Sequence, residues 1–147
     1  MKKRRIWLIL YVVLIYGIVF SGCGFNIGGG GGGSDLPDLV VLPGPHLPQY
    51  CDTTYDIEHN THTLIVHLKN QSDVKITKET TLAVDFGEYG IKTVTVAPFN
   101  ASEERSVEVL MPKCFNPDCG FVIRADDNND IQETDENNNI AKSLCGG

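Results

Sequence analysis

Basic residues are scarce in this chain once its first positions are passed. Of 12 Lys and Arg, four are Lys2, Lys3, Arg4 and Arg5, and all 19 Asp and Glu lie beyond them. From Cys23 onward eight basic residues face 19 acidic ones, a formal charge of −11. Nucleic acid and anionic lipid are recognised by clustered Lys and Arg, so this balance argues against either as the ligand. Also lacking is any helix-length apolar stripe after residue 35, which excludes a helical domain. No Gly-x-Ser-x-Gly elbow surrounds a serine, and the glycines precede no helix that could hold a phosphate. With no assembled nucleophile, base and oxyanion donor, the sequence reads as a non-enzyme. Asp35 to Gly147 shows neither an internal repeat nor a second composition shift, and suits one small domain with a single core.

What is present begins at the N-terminus. Four basic residues precede the unbroken apolar run Ile6 to Phe20, and Phe20-Ser21-Gly22-Cys23 places small residues before a cysteine. This is the layout of a secretory signal peptide, and its run of about 15 residues falls short of the roughly 20 that span a bilayer. With cysteine at the cut it resembles a bacterial lipoprotein signal, which implies that residues 1–22 are removed and that Cys23 is acylated. The chain is then held at the cell envelope by a lipid anchor in the membrane. The rival readings are an anchor that is never cleaved and a plain signal without lipidation. Gly24 stands where an inner-membrane retention signal has Asp, so the expected address in a host with two membranes is the outer one. Residues 23–35 form a linker in which Gly28 to Gly33 are consecutive. As a random coil, Gly24 to Ser34 reaches about 16–20 Å.

Residues 36–147 alternate in hydropathy. Asp38 to Leu42 is a short apolar run stopped by Pro43-Gly44-Pro45, and Leu64, Val66 and Leu68 mark a strand with one buried face. Leu82, Val84 and Phe86 form another, broken at Gly87 to Gly90. Val94 to Val96, Val107 to Leu110, Phe121 to Ala125 and Asn139 to Leu144 follow. About seven short strands with turns between them predict an all-β, immunoglobulin-like antiparallel sandwich.

With Cys23 spent on lipid, Cys51, Cys114, Cys119 and Cys145 remain, an even number that reads as two disulfides with three possible connectivities. The last two strands form a hairpin in which Cys119 lies opposite Cys145. The second and fifth strands of such a sandwich are antiparallel neighbours, which brings Cys51 near Cys114. The expected pairs are Cys51–Cys114 and Cys119–Cys145.

Leu36-Pro37-Asp38-Leu39-Val40-Val41, Val66-His67-Leu68-Lys69-Asn70-Gln71, Cys114 to Cys119 and the close Ala125 to Asn138 together resemble the CARDB module, the cell-adhesion-related domain of bacterial and archaeal surface proteins. Glu133-x-x-Glu136-Asn137-Asn138 is the most specific part. Where the family often has Pro-Gly between its fourth and fifth strands, this chain has Asn100-Ala101-Ser102. The resemblance implies a seven-strand sandwich used as a non-catalytic spacer or adhesion module, with a protein or polysaccharide partner at the cell surface.

The acidic close offers a metal reading. Asp126, Asn128 and Asp130 have the spacing of the first EF-hand ligands, and Glu133, Asp135 and Glu136 add oxygens suited to calcium. Ile131 and Asn137 occupy the positions where an EF-hand requires Gly and Glu. The competing reading is a solvated hairpin turn whose Asn and Asp side chains satisfy local backbone groups. His59 and His62 lack supporting ligands for a transition metal.

Overall fold

Ten residues, Thr61–Asn70, make the longest strand, and the first sheet is assembled around it. A computed structural model describes residues 35–46 and 48–146 of the chain; the signal segment, Cys23 and the Gly28–Gly33 run lie outside the described residues. No described helix is long and apolar enough to cross a membrane. The strands are β1 (Leu39–Leu42), β2 (Thr53–Asp56), β3 (Thr61–Asn70), β4 (Thr80–Asp85), β5 (Ile91–Val96), β6 (Glu104–Leu110), β7 (Asp118–Arg124) and β8 (Ile140–Gly146). One antiparallel sheet has β6 along one edge of β3, and β1 and β2 end to end along the other. The second sheet has the order β5-β4-β7-β8. This is the expected all-β sandwich, with eight strands among the described residues where the alternation predicted about seven.

The period-2 pattern sets the faces. Leu64, Val66, Leu68 and Asn70 of β3 are fully or almost fully buried, and the residues between them are half-buried. They meet Leu82, Val84, Phe121 and Ile123 of the other sheet, with Phe99 filling the end of the core. Each such Leu, Val, Ile or Phe contributes about 1.5–3 kcal/mol through burial. The β4–β5 connection turns through Gly87 (φ 64°) and Gly90 (φ 89°), a left-handed backbone that a Cβ would strain. In the Asn100-Ala101-Ser102 stretch, Ser102 takes φ 57°, a left-handed backbone that a non-glycine residue adopts at some cost.

The disulfides differ from the expected pairing. They are Cys51–Cys145 and Cys114–Cys119. Cys51 does not reach Cys114 because the extra strand β2 and its hairpin intervene before β3. They carry Cys51 back along the edge of β3 away from β6. Cys119 does lie opposite Cys145 in the β7–β8 register. However, Ala125 N–H donates to Asn139 C=O, and counting by twos along the ladder makes 119–145 one of its hydrogen-bonded pairs. Such pairs hold their Cβ atoms further apart than a disulfide prefers. Each cysteine therefore bonds elsewhere.

The strands give the sandwich two poles. Leu39 pairs with Asn70, so the chain enters beside the end of β3, together with Ile76, Phe99 and the loop after β7. At the other pole stand the β2–β3 hairpin tip (residues 57–60), the end of β6 and the Cys114–Cys119 loop.

Candidate functional site

Three of the stretches that carry the family pattern converge at the entry pole, and they bind one another. Asn70, fully buried, donates its amide to Val74 C=O (2.7 Å) and Asn100 C=O (3.0 Å). Its Oδ1 accepts from the N–H groups of Asp38 and Ser72, both at 3.3 Å. Asp38 in turn accepts from Gln71 (2.8 Å) and from Asn138 (2.7 Å). Three distant stretches are latched by one polar knot, because a buried amide is costly unless every donor and acceptor is met. Asn138 Oδ1 is the exception, buried without a partner.

The six residues considered for calcium occupy the same pole. Asp126, buried at φ 52°, accepts from Thr80 Oγ1, Asp130 N–H (3.0 Å) and Ile131 N–H (2.9 Å). Asn128 donates to Thr81 Oγ1 at 3.0 Å. Glu133 accepts from Leu39 N–H at 2.6 Å and from Asn139 at 3.3 Å. Glu136 accepts from Glu133 N–H, and Asp135 from Asn137 N–H. Asp130 contributes its backbone N–H to the Asp126 carboxylate. Among the described residues no three carboxylates, histidines or cysteines are grouped to hold a metal ion. Asp126 and Glu133 are buried and spend their oxygens on backbone N–H groups, whereas Asn128, Asp130, Asp135 and Glu136 are exposed.

Glu133 titrates unusually. Burial pushes its carboxyl up to about 7, with Asp126 and Glu136 adding like charge, against the lowering effect of the Leu39 and Asn139 hydrogen bonds. A pKa raised on folding means that the folded state holds the proton more tightly. The contribution is fully present below about 4.5 and is lost as pH rises through about 7. Chemical denaturation therefore shows the protein more stable at pH 5 than at pH 8, by on the order of 2–3 kcal/mol from this group. Glu133→Gln flattens that slope; an unchanged slope in the variant would place the pH dependence elsewhere.

The outer face of the first sheet holds an arrangement that no sequence spacing signals. His67 Nε2 lies 2.8 Å from Asp52 Oδ2, and His67 Nδ1 lies 3.1 Å from Ser106 Oγ. Ser106 faces His67 across the β3–β6 register, while Asp52 comes from the segment before β2. The triad composition is that of acyl transfer, but the setting is not. N–H groups on one side of a strand recur about 7 Å apart, so β6 does not focus two of them on one oxyanion. We read the row as a brace that clamps the Asp52 segment to the sheet.

At the far pole, Tyr55, His62 and Phe115 form a stack with centroids 4.6 Å and 4.5 Å apart and tilts of 34° and 42°. Tyr55 comes from β2, His62 from β3 and Phe115 from the disulfide-closed loop. The hairpin beneath is fixed by Asp56, which accepts from the backbone N–H groups of Glu58 and His59 and meets the His59 ring at 2.7 Å. The His59 ring holds the Asp56 carboxyl below the usual range, helped by those N–H groups. Asn60, at φ 51°, takes a hydrogen bond from Tyr55 Oη at 2.8 Å. The Tyr55 ring is 51% exposed, more than a residue serving the core would be. Nothing in the sequence marks Tyr55 as a surface residue. The missing signal was β2 itself, four residues with no apolar alternation.

Comparison with known proteins bears on the whole domain. The CARDB family model matches residues 36–143. No curated protein matches. Among solved structures, the fold is similar to the CARDB domain of a Pyrococcus furiosus protein, crystallised in complex with di-metal ions. That domain is 20% identical at a TM-score of 0.58, over 76% of this chain and 94% of the other. It is also similar to the 272–376 domain of a Methanosarcina acetivorans protein named for the cell surface. There the identity is 19% and the TM-score 0.55, over 76% of this chain and 91% of the other.

Proposed function

The chain belongs to the CARDB family, and on that premise we propose that it is a non-catalytic adhesion module of the cell envelope that engages a protein or polysaccharide partner. The observation that carries this reading is polar. Leu39 starts β1 beside the end of β3, so whatever precedes it joins the domain at the entry pole. The aromatic stack, with Tyr55 exposed, stands at the opposite pole, across a β3 of ten residues or about 30 Å. A tether through residues 23–35, with Cys23 acylated, would join the domain at the entry pole.

The test is chemical cross-linking on intact source cells, followed by affinity capture and mass identification. Near-stoichiometric recovery of one envelope component supports the module reading, and recovery of monomer alone overturns it. Deleting residues 24–34 is expected to leave the melting temperature unchanged while lowering that recovery, because only reach is lost.

A second reading is a calcium-stabilised module, favoured by the metal-bound Pyrococcus relative. In this chain the acidic loop is already held by its own N–H groups. The expected outcome is therefore the same melting temperature in millimolar calcium and in chelator. A rise of several degrees with calcium would reinstate the loop as a metal site.

A further inference from the structure

We propose that the pole formed by Tyr55, Asn60, His62, Lys113 and Phe115 is a saccharide-binding site that takes one sugar ring of a surface polysaccharide; this rests on the adhesion reading above and names its ligand class. A pyranose has an apolar face of C–H bonds and a rim of hydroxyls. Its binding sites accordingly pair an aromatic platform with a few convergent polar groups. Both parts are here. Tyr55, half-exposed at the end of the Tyr55–His62–Phe115 stack, offers the apolar surface. Asn60, His62, Lys113 and Phe115 line a hollow of about 160 Å³, large enough for one ring. Tyr55 fixes the Asn60 carboxamide by donating to its Oδ1, which leaves the amide N–H groups for ligand hydroxyls.

The platform is also held in shape before any ligand arrives. Cys114 and Cys119, both buried, close the short loop that presses Phe115 against His62, and the Asp56 hydrogen bonds set the hairpin that carries Asn60. Pre-ordering of this kind lowers the entropy cost of binding a small, weakly adhering ligand. Two alternatives fit less well. A stack that merely covered the disulfide would be buried, whereas half of Tyr55 is in solvent. An anionic lipid or phosphate would meet Asp56 and Glu58 on the same hairpin, with Lys113 alone to offset them.

The experiment is calorimetric titration of the purified protein with neutral hexose, amino-sugar and uronic-acid oligosaccharides, alongside adhesion of the protein to isolated envelopes. Binding to at least one class is expected. Tyr55→Ala should weaken it tenfold or more, and Tyr89→Ala, an exposed tyrosine on the β4–β5 turn, should leave it unchanged. Tyr55 is half-exposed, so its loss does not threaten folding, and an unchanged melting temperature checks this. The inference is overturned if no oligosaccharide binds, or if Tyr55→Ala binds as well as the wild type. Envelope adhesion that survives enzymatic removal of polysaccharide overturns it too, while leaving the adhesion reading standing with a protein partner. Absence of any adhesion to envelopes would instead remove the adhesion reading.

Discussion

Replacing Cys51 and Cys145 together by alanine is expected to lower stability by about 4–5 kcal/mol, the larger of the two disulfide effects. The bond joins residues 94 apart, so it removes far more freedom from the unfolded chain than Cys114–Cys119, which are five apart. By the same chain-entropy argument the short bridge is worth about 2 kcal/mol. A small domain has only about 5–15 kcal/mol in all. Loss of the long bridge therefore brings it close to unfolding, with a fall in melting temperature of roughly 20 °C. Thermal melts of the two double variants check the order. Equal falls would show that entropy of the unfolded chain is not what these bonds control.

Asn70→Ala is expected to cost about 3–4 kcal/mol, although it removes only one small side chain. The amide serves Val74 and Asn100 as donor and Asp38 and Ser72 as acceptor, all at the buried end of β3. Truncation leaves a void and strips the Asp38 and Ser72 N–H groups of their acceptor, while Val74 C=O keeps Ser72 Oγ and Asn100 C=O keeps Glu103 N–H. Asn70→Asp is the sharper comparison, because it preserves shape while replacing a donor with a charge where two carbonyls point. Urea denaturation of both variants measures the loss. A change below about 1 kcal/mol in Asn70→Ala would mean that water enters and satisfies the knot.

Much of the fold was legible because one face of each long strand is buried. Leu64, Val66 and Leu68 alternate with polar neighbours, and nothing but a half-buried strand explains that period. β2 was not legible: Thr53-Thr54-Tyr55-Asp56 is exposed along most of its length and has no apolar rhythm. Its omission displaced Cys51 by a whole hairpin and so led to the wrong disulfide partners. The motif residues were legible as a pattern but not as a mechanism. Asp38, Asn70, Gln71 and Asn138 look like scattered polar residues until the sheet brings them together. The acidic loop had the composition of a metal site. Which way its carboxylates turn is decided by backbone donors that sequence does not display. The aromatic pole was the least visible, since its three rings come from three separate segments.

The Cys51–Cys145 bond also decides how the domain carries a load. A pull on the described domain at Asp35 and Gly146 enters through β1 and leaves through β8. The covalent bridge links the segment just after β1 to the end of β8, so tension passes from Cys51 to Cys145 without crossing β2 to β7. At most β1 and the turn after it can be drawn out, about 50 Å of chain. With the bridge reduced, the whole domain can be spooled to about 370 Å. A molecule built this way gives a little under strain and then stops, so its far pole keeps its shape while the connection behind it is stretched.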